Sequence, residues 1–192
     1  MSIPVSIDPL GTLGAHGFPL PPTLTDGLLD AYVRNYARTY NNCAVTDYKL
    51  DYETAAPVLL RMATAIVRLS ATETINRVYV ADANSQELIQ IYTIGQNYTG
   101  LYLYDGVPNK RRTVGIRTNK GDVVAVNHLR DPNQQAHVVH NGTIRETVND
   151  GVGQLIENRV EFLNVEQVFF YDYVMSDEEM KEKIAIVENL VL

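Results

Sequence analysis

Between residues 77 and 129 apolar and polar side chains alternate with a period of two. The runs 77–81, 87–94, 100–104, 112–118 and 122–129 read as strands. The links between them are short and turn-like, as in Asp82-Ala83-Asn84-Ser85 and Asn119-Lys120-Gly121. Short links join neighbours as hairpins, so the group reads as an antiparallel β-meander. A sixth strand at 136–140 ends at the Asn141-Gly142 turn. A seventh spans 165–174, with Val168, Phe170 and Val174 toward one face.

The spacing on either side of this block is closer to four. Leu28, Leu29, Tyr32, Tyr36 and Tyr40 predict a helix opened by Thr25 or Asp26. Val58, Leu59, Met62, Ile66 and Leu69 predict a second, from Thr54 to about residue 70, with Pro57 in its first turn. A third helix is expected over 143–163, on the stripe Ile144, Val148, Val152, Leu155, Ile156 and Val160, weakened at Gly151 and Gly153. The last helix opens at a capping box, Ser176 with Glu179. Its residues Met180, Ile184, Val187 and Val191 form a short seam available to a partner. The expected fold is therefore α+β: an antiparallel meander of five to seven strands, two N-terminal helices, and C-terminal helices.

Residues 1–24 have a different character. They hold five of the eight prolines and carry Ile3, Val5, Ile7, Leu10, Leu13, Phe18, Leu20 and Leu24. Proline removes donors and favours extended backbone. The segment reads as an apolar arm that is neither helix nor central strand and lies along its own domain or a neighbour. Residues 25–192 form the domain.

Charge and composition narrow the function classes. The net charge is -7, which argues against nucleic acid as a partner, because phosphate binding needs basic groups. No apolar run reaches the ~18 residues of a membrane span. No secretory leader is legible, and the lone Cys43 forms no internal disulfide, so a cytoplasmic protein, or a particle assembled in the cytoplasm, is expected. The sequons at Asn97 and Asn141 are read as turns.

Two surfaces stand out. Lys110, Arg111, Arg112, Arg117 and Lys120 crowd eleven residues with no acid among them. They are candidates for binding an anion or an acidic partner, or a solvated hairpin tip that resists edge pairing. The chain also has twelve tyrosines and no tryptophan. Tyr102 and Tyr104 share a face, with Tyr79 and Tyr92 on neighbouring strands; such rings suit an interface, a stacked ligand or cover by the first helix. With Phe18, Met180, Ile184, Val187 and Val191 they form the candidate interface set.

Catalytic and metal signals are weak. His137 and His140 are three apart and fall on opposite faces of one strand; with His128 they make no shared metal site, so no metal and no cofactor is expected. There is no nucleophile elbow and no P-loop, and Gly11, Gly14 and Gly17 do not sit at a strand-to-helix turn. The leading expectation is a structural or assembly subunit, a virion component among the options, contacting other protein subunits in a homo- or hetero-oligomer through its arm and the Tyr/Arg surface. The alternatives are a small-ligand-sensing domain with a pocket between meander and helix, and an enzyme without a recognisable motif.

Overall fold

A computed structural model describes residues 20–33, 44–46, 49–51, 63–81, 87–93, 99–104, 111–127, 135–148 and 159–190. Thirteen strands and two helices lie within them, and all the strand pairings are antiparallel. In chain order they are α1 (Pro22–Thr25), β1 (Leu28–Val33), β2 (Ala44–Thr46), β3 (Lys49–Asp51), β4 (Thr64–Arg68), β5 (Arg77–Ala81), β6 (Glu87–Thr93) and β7 (Thr99–Tyr104). Then come β8 (Arg111–Ile116), β9 (Val123–Val126), β10 (Gln135–His140), β11 (Thr143–Val148), β12 (Arg159–Leu163), β13 (Gln167–Tyr171) and α2 (Asp177–Glu188).

The strands form two sheets. The helix-backed sheet has the order β1-β13-β4-β9-β10-β11, and the meander sheet the order β2-β3-β12-β5-β6-β7-β8. They pack as a sandwich. Phe162 of β12 stacks on Tyr32 of β1, ring centroids 4.6 Å apart, and lies 6.4 Å from the Phe170 ring of β13. The row Phe170–Ala65–Val126–Val138 runs across four strands of the helix-backed sheet, every member buried.

The opposite face of that sheet is also buried. Ala31, Phe169, Ile66, Ala125 and Val139 form a second straight row across five strands. They share one apolar cluster with Leu24, Met175, Met180, Ile184 and Val187. Strands covered on both faces lose their alternation and read as continuous apolar runs. Burying each large side chain contributes roughly 1.5–3 kcal/mol.

Helix α2 is held at both ends. Glu179 N–H donates to Ser176 Oγ and Ser176 N–H returns a bond to Glu179 Oε2, at 3.3 and 3.0 Å. Asp177, Glu178 and Glu179 complement the positive end of the dipole. The last turn has no basic residue of its own. Arg68 of β4 supplies the charge from outside, donating to the carbonyls of Val187 and Leu190 at 3.1 and 3.4 Å. At the other end His137 Nδ1 lies 2.7 Å from Asp177 Oδ1, tying β10 to the first turn. Asn127 adds a buried link, donating from Nδ2 to the Met175 carbonyl at 2.9 Å.

Several expectations change. The two N-terminal helices are not seen: β1 occupies the start of the first and β4 part of the second, while residues 34–43 and 52–62 lie outside the description. At β1, Asp26 is extended and Gly27 has φ +66, which breaks a helix capped there. At β4, a five-residue run buried on nearly every side has no period by which to tell strand from helix. The helix expected over 143–163 is replaced by β11 and β12. Asn141 and Gly142, with φ 50 and 71, make the two-residue turn that launches β11 back along β10. The meander holds for β5 to β8 but not for β9, which crosses to the other sheet. The fold is thus mostly antiparallel sheet with few helices. Of the expected arm, residues 1–19 and so Phe18 lie outside the description; 22–25 form a helical turn, and Leu24 is fully buried.

Two substitutions test this packing. Ile184→Ala is expected to lower unfolding free energy by about 2–5 kcal/mol in urea titration, while Glu182→Gln, exposed on the same helix, stays within about 0.5 kcal/mol. Gly27→Ala is expected to cost more than about 1 kcal/mol, because φ is positive and the new Cβ would lie 2.5 Å from Tyr173 Cε1.

Candidate functional site

Among the described elements the packing leaves one sheet face to consider. The helix-backed sheet is covered by α2 on one side and by the meander sheet on the other. In the meander sheet, Phe162, Val78 and Ile116 are buried. The row through the first two continues to Ile91, Leu101 and Val114. Because successive residues of a strand fall on opposite faces, the alternate rows belong to the outward face. Leu163 is 48% exposed and Ile75, just before β5, is 57% exposed, as that face requires.

Two outward rows carry the chemistry. The first reads Lys49, Glu161, Tyr79, Gln90, Tyr102, Thr113 across β3, β12, β5, β6, β7 and β8. The second reads Leu163, Arg77, Tyr92, Gly100, Gly115. Tyr104 pairs with Arg111 one row further on. The fold therefore brings Tyr79, Tyr92, Tyr102 and Tyr104 onto one face, interleaved with amide, hydroxyl and charged residue types. Tyrosine offers a flat apolar ring with a polar tip, and its neighbours here offer both donors and acceptors.

The basic cluster is split. Arg111 lies on the outward rows and Arg112 on the inward set, opposite Leu103. Arg117, just past β8, is exposed between buried Ile116 and Thr118. Lys120 is also exposed but its ammonium donates to the Thr72 carbonyl. Lys110 lies outside the description. β8 and β9 belong to different sheets, so residues 117–122, with Arg117 and Lys120, are a crossover and not a hairpin turn. Met180, Ile184 and Val187 are buried against the helix-backed sheet, so they offer no seam to a partner; Val191 lies outside the description.

The two described histidines of β10 go to different carboxylates. His137 meets Asp177, and His140 Nε2 lies 2.6 Å from Asp122 Oδ2. Asp122 also accepts the Asn119 N–H at 2.6 Å, fixing the crossover turn. His128 lies outside the description. Among the described residues no group of three or more His, Cys, Asp or Glu converges as a metal site, and no helix is long and apolar enough to cross a membrane.

One perturbed pair lies on the helix side. Lys183 is 8% exposed, donates to the Thr23 carbonyl, and sits 4.9 Å from the Tyr171 ring centroid. Burial pushes its ammonium below the usual lysine value, against the pull of Asp26, Glu179 and Glu182. The Tyr173 hydroxyl is pushed from 10.0 up to about 12, by burial first and then by the carboxylates of Glu179, Asp26 and Asp172. Both groups secure α1 and the Gly27 turn against α2, which makes them structural.

Sequence reasoning missed Glu161, Gln90, Thr113, Arg77, Leu163 and Ile75 as members of the outward face. Gln90 and Thr113 were reachable, since β5 to β8 follow one another as expected and the alternation fixes their rows. Glu161 and Leu163 were not, because their strand lies in a segment whose spacing mimics a helix.

No family model matches the chain, and no curated protein matches it. Solved structures do resemble it in fold. The binding domain of botulinum neurotoxin DC, in complex with rat synaptotagmin II, superposes with a TM-score of 0.57 at 10% identity, over 84% of this chain and 52% of that one. A leech intramolecular trans-sialidase gives 0.56 at 17% identity over 86% of this chain, which spans only 28% of the enzyme. The CBM40 module of a Ruminococcus gnavus IT-sialidase, bound to α2,3-sialyllactose, gives 0.53 at 17% identity, over 72% of this chain and 90% of the module. These likenesses establish the sandwich fold. They overturn the expectation of a structural, assembly or virion subunit, since the matched folds are those of a CBM40 bound to sialyllactose and of a neurotoxin binding domain in complex with synaptotagmin II. They favour the alternative of a ligand-binding domain, with its expected pocket relocated, because α2 packs on the other sheet and not on the meander.

Alkaline titration checks the Tyr173 environment. A hydroxyl whose folded value is raised favours the native state below the unfolded value near 10 and loses that contribution as pH rises toward about 12. Between about pH 9 and about pH 11 the parent should therefore lose more stability than Tyr173→Phe, whereas equal losses would mean the hydroxyl is freely hydrated.

Proposed function

We propose that this chain is a glycan-binding β-sandwich module, and that it binds on the outward face of the meander sheet. The observation that carries the reading is the cross-strand row Glu161–Tyr79–Gln90–Tyr102–Thr113 beside the row Leu163–Arg77–Tyr92. A sugar has apolar C–H faces and a rim of hydroxyls. It is recognised by flat rings that stack on the first and by amide, hydroxyl, carboxylate and guanidinium groups that bond the second. This face sets both kinds of residue side by side on a rigid ladder. Matched folds that hold sialylated ligands, α2,3-sialyllactose in the Ruminococcus module and SialylT in the neurotoxin binding domain, support the ligand class.

The function so read is recognition without turnover. No catalytic role is assigned to any residue of the face.

The test is a glycan array probed with the full chain, followed by calorimetry on the best oligosaccharide, with sialyllactose and lactose included as probes. Tyr102→Ala is expected to weaken binding by about tenfold or more, about 1.4 kcal/mol, while changing unfolding free energy little. Lys181→Ala, on α2 at the far side of the sandwich, should leave affinity unchanged. Absence of binding to every glycan, or full affinity in Tyr102→Ala, would refute the reading.

A further inference from the structure

We propose that the N-terminal arm docks on its own domain: residues 17–20 run along the α1 side of α2, Phe18 packs against Leu190, and a backbone N–H of this stretch donates to Gln167 Oε1. The inference goes beyond the glycan reading and does not rest on it.

The direction of travel is set by contacts at α1. Asp26 and Glu179 both act on Tyr173, so Asp26 lies beside the first turn of α2. The Thr23 carbonyl, earlier in the chain, accepts from Lys183, one turn further along the helix. Read backwards, the chain therefore climbs α2 toward its C-terminus. Leu20 keeps to that path, packed against the same core cluster as Ile186 and Leu190. Lys183, Ile186 and Leu190 follow one another at three and four residues and share one side of the helix. From Lys183 to Leu190 is about 10 Å along the axis, which an extended chain covers in about three residues. Pro21 is extended, with φ -56 and ψ 141. Pro19 and Pro21 favour the same backbone at Phe18 and Leu20. Alternate residues of an extended segment share a side, so Phe18 follows Leu20 onto the helix.

The end of that path holds an acceptor in need of a donor. Gln167 of β13 stands between Val33 of β1 and Arg68 of β4. It shares the helix-facing side of β13 with Phe169 and Tyr171. Beside it, Arg68 reaches the Leu190 carbonyl. Gln167 is 5% exposed, and its Oε1 has no hydrogen-bond partner among the described residues. A buried acceptor left unpaired is costly, so such groups are nearly always satisfied. Proline offers no N–H at 19, 21 or 22, and the first backbone donors beyond Leu20 are those of Phe18 and Gly17. An occupant of this rim must bring apolar side chains to Ile186 and Leu190 and a donor to Gln167. A tethered segment brings both at high effective concentration, which favours the chain's own arm over a second copy.

The chain has no tryptophan, so Phe18→Trp in the full chain reports on the arm alone. Its emission is expected to the blue of a solvated indole, with acrylamide quenching reduced several-fold, at every protein concentration. Adding Leu190→Ser should move both readings toward the solvated values while circular dichroism stays that of the parent. Gln167→Met should lower the melting temperature by about 2–4 °C, the effect of one lost hydrogen bond, and by less where Phe18→Ser has already loosened the arm. A solvated indole in Phe18→Trp would overturn the inference. So would protection that Leu190→Ser leaves intact, or an equal drop from Gln167→Met in both backgrounds. Protection lost on dilution, with a dimer's mass at high concentration, would put the arm on a second copy and overturn it as well. Glycan affinity enters none of these readouts, so their failure is distinct from failure of the binding face.

Discussion

Met180, Ile184 and Val187 close over Phe169, Ile66 and Ala125, and this contact decides which surface of the molecule can meet a ligand. A sheet face left in water with that row on it would expose a broad apolar patch. The helix removes it, and the sandwich removes the other face of the same sheet through Phe170, Ala65, Val126 and Val138. Among the described elements the meander sheet is backed on one side only and keeps an outward face. Its outward rows set Tyr79, Gln90, Tyr102 and Thr113 in register across β5 to β8.

The helix depends in turn on contacts distant in sequence. Its own first turn is well capped, but its last turn lacks a cation, and Arg68 reaches across from β4 to serve the carbonyls there. His137, Asn127 and Lys183 anchor it at β10, at the segment after β9 and at α1. A twelve-residue helix would be marginal by itself. It is stable because it is the cover of a sheet. The same residues explain why it makes a poor interface: what looked like a free seam is the underside of the core.

What could be read from the sequence follows from the number of faces each element buries. The strands β5 to β8 are backed on one side, so Val78 alternates with Tyr79 and Leu101 with Tyr102, and the period of two is legible. Thr64–Arg68 is covered on both sides and carries no period, so its apolar residues joined a false helical stripe with Val58 and Met62. Ile144 and Val160 fell four-fold in phase by chance, although they belong to strands in different sheets. The capping box at Ser176 was legible because it is local. Arg68, Glu161 and Leu163 were not, because their roles exist only once distant strands are adjacent. The tyrosine face was visible residue by residue; its place on the sheet that α2 does not back needed the topology.

The most direct measurement is amide chemical-shift mapping of the full chain titrated with the array's best oligosaccharide. The account predicts that shifts concentrate on β5 to β8 and β12, strongest near Tyr79, Tyr92 and Tyr102. Amides of α2, β4 and β13 should stay near their free positions. Shifts centred on α2 or on the turn at Gly27, with the meander strands unmoved, would contradict it.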